Sequence, residues 1–196
     1  MEEPLITKKK LLDYFSSFHR ITDGERETIG AFFHPLRFAE GDFLFIGNKI
    51  CRELFFVSSG VLRITSLNTK GQEITHFFIG EDQICTILDS FSSGSISFSR
   101  IQACADTRVL VINKNDYTSL CNALPFFSGI MDSINQIRLM EKVKIKNAYS
   151  GLDSTERYML FLKLQADVAF QVPLNHIASY LNITPQSLSR IRKAVR

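Results

Sequence analysis

The chain has 196 residues, of which 45% are hydrophobic and 22% charged, which is typical of a folded protein with one large or two small domains. Its four cysteines are far apart and form no C-x-x-C pair, so we expect buried reduced thiols rather than disulfides or a zinc site. No apolar run is long enough to span a membrane, and the start MEEPLITKKK lacks the apolar run of a secretory signal.

Two helices are predicted near the N-terminus. The first spans residues 8–18, because apolar side chains recur there on one helical face. The second runs from a capping box at Thr22-Asp23-Gly24-Glu25 to Phe33.

The periodicity then changes to that of short strands. We predict strands at 43–46, 54–57, 61–67, 73–79, 101–105 and 109–112, with turn residues such as Glu40-Gly41-Asp42 between them. Several short strands with regular turns predict an antiparallel sandwich or small barrel.

Helices return after residue 112. Asn113 is expected to cap a short helix, and Pro125 to begin a long helix that ends near Ala148. Residues 150–152, Ser-Gly-Leu, are typical of a hinge, and Asp153 is expected to cap the next helix.

The last segment, VPLNHIASYLNITPQSLSRIRKAVR, predicts two short helices that share one core. Asn182 tolerates the left-handed conformation of a sharp turn, Thr184 can accept a hydrogen bond from an amide of the next helix, and Pro185 suits its first position. We therefore predict a helix-turn-helix. Its second helix presents amide, hydroxyl and basic groups, which suit recognition of the DNA major groove.

The net charge of +3 is unevenly distributed along the chain. Residues 1–137 contain 13 basic and 16 acidic side chains, and residues 138–196 contain 10 basic and 4 acidic ones, so these parts carry −3 and +6. A basic segment that contains a helix-turn-helix indicates nucleic-acid binding.

This order of elements resembles the Crp/Fnr family of bacterial transcription regulators over nearly the whole chain. The similarity rests on glycine turns in RFAEGDFLF, LFFVSSGVLRI and NTKGQEITHFF, on the segment ACADTRVLVINKNDYTSL, and on SYLNITPQSLSRIRK, which looks especially like short family members from Bacteroidetes. The resemblance implies an α+β fold: an N-terminal antiparallel β-roll of jelly-roll type (a double-stranded β-helix, as in cyclic-nucleotide-binding domains), a long dimerisation helix, and a C-terminal all-α helix-turn-helix domain. The expected boundaries are 1–124, 125–149 and 150–196.

The resemblance also implies which side chains contact DNA. Family members read bases from the first, second and sixth positions of the recognition helix, which are Pro185, Gln186 and Arg190 here. Proline has no donor, so Gln186 is expected to read adenine and Arg190 guanine. Phosphate contacts are expected from four further residues: Thr184, Ser187, Lys193 and Arg196.

The sequence departs from the family at the cyclic-nucleotide pocket. Members that bind cyclic AMP carry a Gly-Glu pair and an Arg-Ser pair, which align here with Cys85-Thr86 and Ser97-Phe98. Arg100 is three residues along the strand, which turns its side chain to the opposite face. Without a guanidinium, a bound phosphate would be desolvated and unpaired. We therefore expect that cyclic AMP does not switch this protein; a cyclic-nucleotide sensor with an atypical pocket remains the alternative.

Other sensing chemistries of the family have little support in the sequence. An iron–sulfur cluster needs closely spaced N-terminal cysteines, haem needs an axial ligand, and the four histidines are scattered. We expect no metal and no cofactor. The chain has no nucleophile elbow, P-loop or paired carboxylates, so an enzyme is not expected. A third hypothesis is a scaffold that binds a protein around Phe77, Phe78 and Phe91, although core packing explains these residues more simply.

A homodimer is expected through the long helix. Apolar residues recur there at coiled-coil spacing and predict a seam: Phe127, Ile130, Ile134 and Ile137. The alternative is that these residues pack within their own subunit, and Met131, Met140 and Val143 are expected beside the stripe, where they could cover the β-roll. The implied partners are a second copy, double-stranded DNA with a palindromic operator and, as a further candidate, RNA polymerase. The expected location is the cytoplasm, with no membrane contact.

Overall fold

The computed structural model describes the backbone of residues 2–195 and the side chains of residues 8–195. Nine helices occur in this part of the chain: α1 (Glu2–Ser16), α2 (Asp23–Phe32), α3 (Leu88–Ser93), α4 (Lys114–Ala123), α5 (Phe126–Ala148), α6 (Ser154–Leu164), α7 (Ala166–Gln171), α8 (Leu174–Leu181) and α9 (Pro185–Ala194). The same part contains eight strands: β1 (His34–Phe38), β2 (Phe43–Phe45), β3 (Glu53–Ser59), β4 (Leu62–Leu67), β5 (Glu73–Ile79), β6 (Gln83–Cys85), β7 (Arg100–Ala103) and β8 (Thr107–Asn113).

The strands form two antiparallel sheets, ordered β1-β8-β3-β6 and β2-β7-β4-β5. The predicted jelly-roll-like β-roll is thus confirmed. The turn before β4 needs a glycine, because Gly60 has a φ of +88° and an added Cβ would lie 2.6 Å from the Asp106 carbonyl oxygen. The six predicted strands are present, whereas β1 and β6 were missed.

Strand β3 is buried on both faces, which explains its continuous apolar run Leu54-Phe55-Phe56-Val57. Phe55 and Val57 point between the two sheets, into a cluster with residues of β4, β7 and β8. Leu54 and Phe56 point the other way, into a second cluster with helices α1, α2, α4 and α5. The β-roll is therefore covered by helices on the outer face of its first sheet.

Three predicted helix starts are confirmed by their capping bonds, whereas the first helix spans Glu2–Ser16 rather than residues 8–18. The Thr22 amide donates to Glu25 Oε2 at 2.8 Å, and the Asp153 amide donates to Glu156 Oε2 at 2.9 Å, so α2 and α6 both begin with a capping box. Asn113 Oδ1 accepts from the Asp116 amide at 3.0 Å and caps α4.

The predicted dimer seam on α5 requires correction. Phe127, Ile130 and Ile134 are at most 3% exposed, because they pack into the chain's own cluster with α1, α4 and the β-roll. Of the four seam residues only Ile137 is exposed, at 45%. The apolar face of α5 that was predicted to contact a second copy therefore packs against the subunit's own β-roll.

The three residues expected beside the seam, Met131, Met140 and Val143, differ in their burial. Met131 is buried against the β-roll, whereas Met140 and Val143 are half exposed, and Val143 lines the groove between α5 and the β-roll. One face of α5 is thus buried within the subunit, and another face is exposed to solvent.

Helices α6 to α9 pack on the outer face of the second sheet. Their core residues Phe161, Leu181 and Leu188 belong to one buried cluster with Val61 and Phe78 of the β-roll. The helix-turn-helix therefore shares a hydrophobic core with the sheet. Within residues 2–195, no helix has both the length and the apolar character needed to cross a bilayer.

Candidate nucleic-acid interface

The turn between α8 and α9 has the geometry that the sequence predicts. Asn182 adopts the left-handed conformation, with φ 56° and ψ 45°. The Ile183 amide donates a hydrogen bond to the Ala178 carbonyl at 3.0 Å, which caps the C-terminus of α8. Thr184 then caps α9 by accepting from the Ser187 amide at 3.1 Å, and Pro185 is the first helical residue.

One face of α9 is anchored and the opposite face is exposed. Leu188 is fully buried against α8, where Ala178 is also fully buried and lets the two helices approach closely. Gln186, Ser189 and Arg190 are exposed. The two predicted base-reading residues are thus both presented to solvent on the first two turns of a rigidly held helix.

The predicted phosphate contacts are distributed around this helix. Thr184 and Lys193 are exposed and Ser187 is half-buried, while Arg196 lies outside the described residues. The Thr184 hydroxyl donates to Ser187 Oγ at 2.9 Å, which leaves the Ser187 hydroxyl proton available for an external acceptor. No Asp or Glu follows Asp167 in the sequence, so no acidic side chain of this segment opposes an approaching phosphate.

Helix α8 is attached to the free edge of strand β5, which is the last strand of its sheet. The Thr75 amide donates to Ser179 Oγ at 2.9 Å, and the Ser179 hydroxyl donates to the Glu73 carbonyl at 3.2 Å. One serine thus satisfies an edge-strand donor and an edge-strand acceptor, which joins the helix-turn-helix to the β-roll.

A buried arginine supports this contact from the sheet side. Arg63 on β4 donates to Thr75 Oγ1 at 3.0 Å and to Gln102 Oε1 at 2.9 Å, and it pairs with Glu73. His176 of α8 lies close to this group. Burial, and then the charge of Arg63, lower the pKa of His176 to about 4, although Glu73 acts in the opposite direction.

Sequence reasoning missed this contact between α8 and β5. Ser179 was the available signal, since it is a polar residue among the apolar positions of a short helix. A serine at such a position does not identify its partner, and the paired backbone groups of Glu73 and Thr75 are more than 100 residues away.

The four residues at the cyclic-nucleotide positions differ in their surroundings, and Cys85 and Thr86 line a groove between the β-roll and α5. Cys85 is buried on β6, and burial raises its pKa to about 12. The Thr86 hydroxyl donates to the Glu53 carbonyl at 2.8 Å. Ser97 pairs with Lys49 in a β-bridge, and Phe98 is 75% exposed.

Arg100 does not replace the absent guanidinium in this region. Ile101 and Ala103 of the same strand point into the space between the sheets, so Arg100 points outward, where it lies over the Phe43 ring at 5.9 Å. The described residues contain no group of three or more His, Cys, Asp or Glu side chains that could hold a metal ion.

The three phenylalanines that could have formed a protein-binding surface are mainly used in packing. Phe78 contacts the rings of Phe161 and Tyr180, and Phe91 is buried in the cluster beneath α1 and α5. Phe77 is half-buried below a lysine of α5. Core packing thus explains Phe78 and Phe91.

Comparison with known proteins gives consistent similarities. Residues 35–123 match the cyclic nucleotide-binding domain family. The cyclic AMP receptor protein of Thermus thermophilus is 23% identical over 182 residues, which cover 91% of this chain and 84% of that protein.

Two solved structures share the fold over most of their length. A putative Crp/Fnr-family transcriptional regulator from Eubacterium rectale has a TM-score of 0.70 and 19% identity, with 93% of this chain and 87% of that chain covered. The c-di-GMP-responsive global regulator CLP from Xanthomonas campestris has a TM-score of 0.69 and 16% identity, with 89% and 91% covered. These three proteins are named as a receptor protein and as regulators, not as enzymes. The expected likeness to Bacteroidetes members stays a prediction.

Proposed function

Because residues 35–123 form a cyclic nucleotide-binding domain and the chain is homologous to transcriptional regulators of the Crp/Fnr family, we propose that it is a sequence-specific DNA-binding transcriptional regulator. The observation that carries the proposal is the exposed face of α9, which presents Gln186 and Arg190 in a segment without acidic residues. A helix held in this way by a helix-turn-helix can enter the major groove.

The proposed roles follow from hydrogen-bonding geometry. Gln186 makes paired hydrogen bonds with adenine, and Arg190 with guanine N7 and O6. Thr184, Ser187, Lys193 and Arg196 contact phosphates and set the orientation of the helix on the duplex. Regions 1–124, 125–149 and 150–196 act as the sensor, the dimerisation helix and the DNA-binding unit, in the cytoplasm.

The regulator acts as a homodimer on a palindromic operator. One recognition helix covers a half-site, and a two-fold axis places the second in the next major groove, about 34 Å away. Ile137 and Met140 of α5 are exposed and do not line the groove against the β-roll, which supports a corrected seam through these two residues. RNA polymerase is the further partner that such a regulator would contact.

Cyclic AMP is not the switch in this proposal. The Thr86 hydroxyl is already bonded to a backbone carbonyl, and Arg100 points away from the space between the sheets. A ligand shifts a conformational equilibrium only if it binds the two conformations with different affinities. Without the carboxylate and the guanidinium that bind cyclic AMP in other members, its affinity for either conformation would be low.

Selection of bound sequences from random DNA tests the proposal directly. We expect enrichment of an inverted repeat whose half-site centres are about ten base pairs apart or a multiple of that. Gel-shift titration without added ligand should then separate this operator from a scrambled duplex. Enrichment of no sequence, or equal affinity for both duplexes, would refute a sequence-specific regulator.

The second candidate function is a cyclic-nucleotide sensor with an atypical pocket. The match of residues 35–123 to the cyclic nucleotide-binding domain family favours it. Calorimetric titration with cyclic AMP and cyclic GMP distinguishes the two. Micromolar binding that also tightens operator binding would favour the sensor, and the absence of binding heat would favour regulation without cyclic nucleotides.

A further inference from the structure

A second groove, which we call the α7 groove, lies between helix α7 and the turn that joins strands β5 and β6. It encloses about 580 Å³, and none of the described residues of α5 lines it. Its floor includes the buried side chains of Val61, Phe78 and Val168. A concave space of this size, with an apolar floor and a few polar groups on its walls, is typical of a site for a small organic molecule.

Both charged side chains of the α7 groove are acidic. Glu81 of the β5–β6 turn and Asp167 of α7 line it, and none of the described lining residues is basic. Lys10 pairs with Glu81 at 3.2 Å, but the two side chains are 40% and 45% exposed, so solvent weakens this pair. Helix α6 ends at Leu164, which also lines the groove, and the C-terminus of a helix favours a cation. The groove therefore attracts positive charge, although the net charge of the chain is +3.

Two glutamine side chains add hydrogen-bond acceptors to the same groove. Gln165 Nε2 donates to the Tyr180 hydroxyl oxygen at 3.0 Å, and Gln171 Nε2 donates to the Asp167 carbonyl at 3.1 Å. Because each Nε2 is bonded within the chain, the Oε1 atoms are the parts of these amides that remain to bind a ligand. Carboxylate and amide oxygens together favour a ligand that donates hydrogen bonds.

An exposed aromatic ring stands at the wall of the groove. Phe170 is 88% exposed, which is the highest value among the large apolar side chains in the described part of the chain. An apolar body bound beside it would remove the ring from water, and the face of the ring also attracts a cation. Asp167 precedes Phe170 by three residues on α7, so the two side chains lie on the same side of the helix. One ligand can therefore contact both.

We propose that the α7 groove binds an organic cation, in which a primary ammonium or guanidinium group is attached to an aromatic or aliphatic body. The cationic group donates to the Asp167 carboxylate and to Gln171 Oε1, and the body covers Phe170 and Val168. The groove between α5 and the β-roll is unsuitable for such a ligand, because five Lys and Arg side chains of the described residues line it. Since the α7 groove joins the β5–β6 turn to α6 and α7, the ligand would contact both the β-roll and the proposed DNA-binding unit; its regulatory effect rests on the proposed function, whereas its binding does not.

The test uses two fluorescent dyes with the same ring system and the full chain without DNA. Dansylcadaverine carries a primary ammonium, and N-butyl dansylamide lacks it. We expect saturable binding of dansylcadaverine, and Asp167→Asn should weaken it about fivefold, which is the upper range for one exposed ion pair. Binding of the neutral dye should change little in this variant, because asparagine has nearly the same size as aspartate. Phe170→Ala should weaken both dyes, since the ring contacts the body that they share.

Two controls make the result specific. Asp89→Asn removes an exposed acid from the first turn of α3, which has six residues like α7, and Asp89 does not line the groove. It should leave both dyes unaffected. Asp167→Glu keeps the charge and should retain binding of dansylcadaverine. Circular dichroism melting checks that each variant is folded, since loosely packed states also bind such dyes.

Competition on the wild-type chain tests the same idea without any variant. Tryptamine should displace dansylcadaverine, whereas indole-3-propionate, which has the same ring and the opposite charge, should do so at least about tenfold less effectively. The proposal is overturned if dansylcadaverine shows no saturable binding, if both indoles displace it equally, or if folded Asp167→Asn loses the charged and neutral dyes equally. Neither measurement depends on DNA binding, so failure here is distinguishable from failure of the proposed function.

Discussion

Replacing Ser179 by alanine should loosen the helix-turn-helix from the β-roll. The substitution removes the acceptor of the Thr75 amide and the donor to the Glu73 carbonyl, and Thr75 is only 3% exposed. A buried amide without an acceptor costs about 1–3 kcal/mol, so we take about 2 kcal/mol for the change. The apolar contacts around Ser179 remain, so the chain should stay folded.

Hydrogen–deuterium exchange measures this cost locally. If the Thr75 amide exchanges through local opening of the α8–β5 contact, a loss of about 2 kcal/mol accelerates its exchange about 30-fold. Peptides from β8, which lies in the other sheet, should exchange at the wild-type rate.

Ser189→Ala is the matched control, because Ser189 is exposed on α9. It should leave the exchange of Thr75 unchanged. If Ser179→Ala also leaves it unchanged, the two hydrogen bonds do not hold the helix on the strand, and the reasoning from the edge of β5 is refuted.

Arg190→Ala should weaken the binding free energy for operator DNA by about 1–3 kcal/mol and relax the sequence preference at one base pair. If gel shifts show equal losses of affinity for the operator and a scrambled duplex, Arg190 contacts only phosphate. Ile134→Glu should lower the free energy of unfolding by about 4 kcal/mol or more, because it buries a charge in the subunit's own core. Met140→Glu should instead yield folded monomers in light scattering. If the Met140→Glu variant remains a dimer, the interface lies elsewhere. The pKa of His176 is lowered from 6.5 to about 4 by folding, so the unfolded chain binds more protons between these values and stability should fall as pH decreases through them. His176→Gln should flatten this dependence in thermal melts recorded from pH 7 to pH 4, and an unchanged slope would assign it to other groups.

The helix-turn-helix could be predicted from the sequence because its determinants are local. Asn182 at the turn, Thr184 at the cap and Pro185 at the first helical position act within a few residues of one another. The same holds for the capping boxes at Thr22 and Asp153, which is why those helix starts were correct.

Strand β1 was missed because its sequence, HPLRF, contains a proline and shows no apolar alternation. It is an edge strand that is mostly exposed, and its pairing with β8 across about 75 residues provides the backbone bonds that the local sequence does not indicate.

The sequence by itself determined six of the eight strands, the capped helix starts and the exposed basic face of α9, since these depend on spacing and on local hydrogen bonds. The tertiary structure alone decided which neighbour covers each apolar face. Helical spacing in α5 shows that Ile134 is buried, but burial against the β-roll and burial against a second copy have the same periodicity. The docking of Ser179 on β5 and the position of Lys142 over Phe77 were decided in the same way, because both join segments far apart in the chain whose meeting depends on the packing of the whole fold.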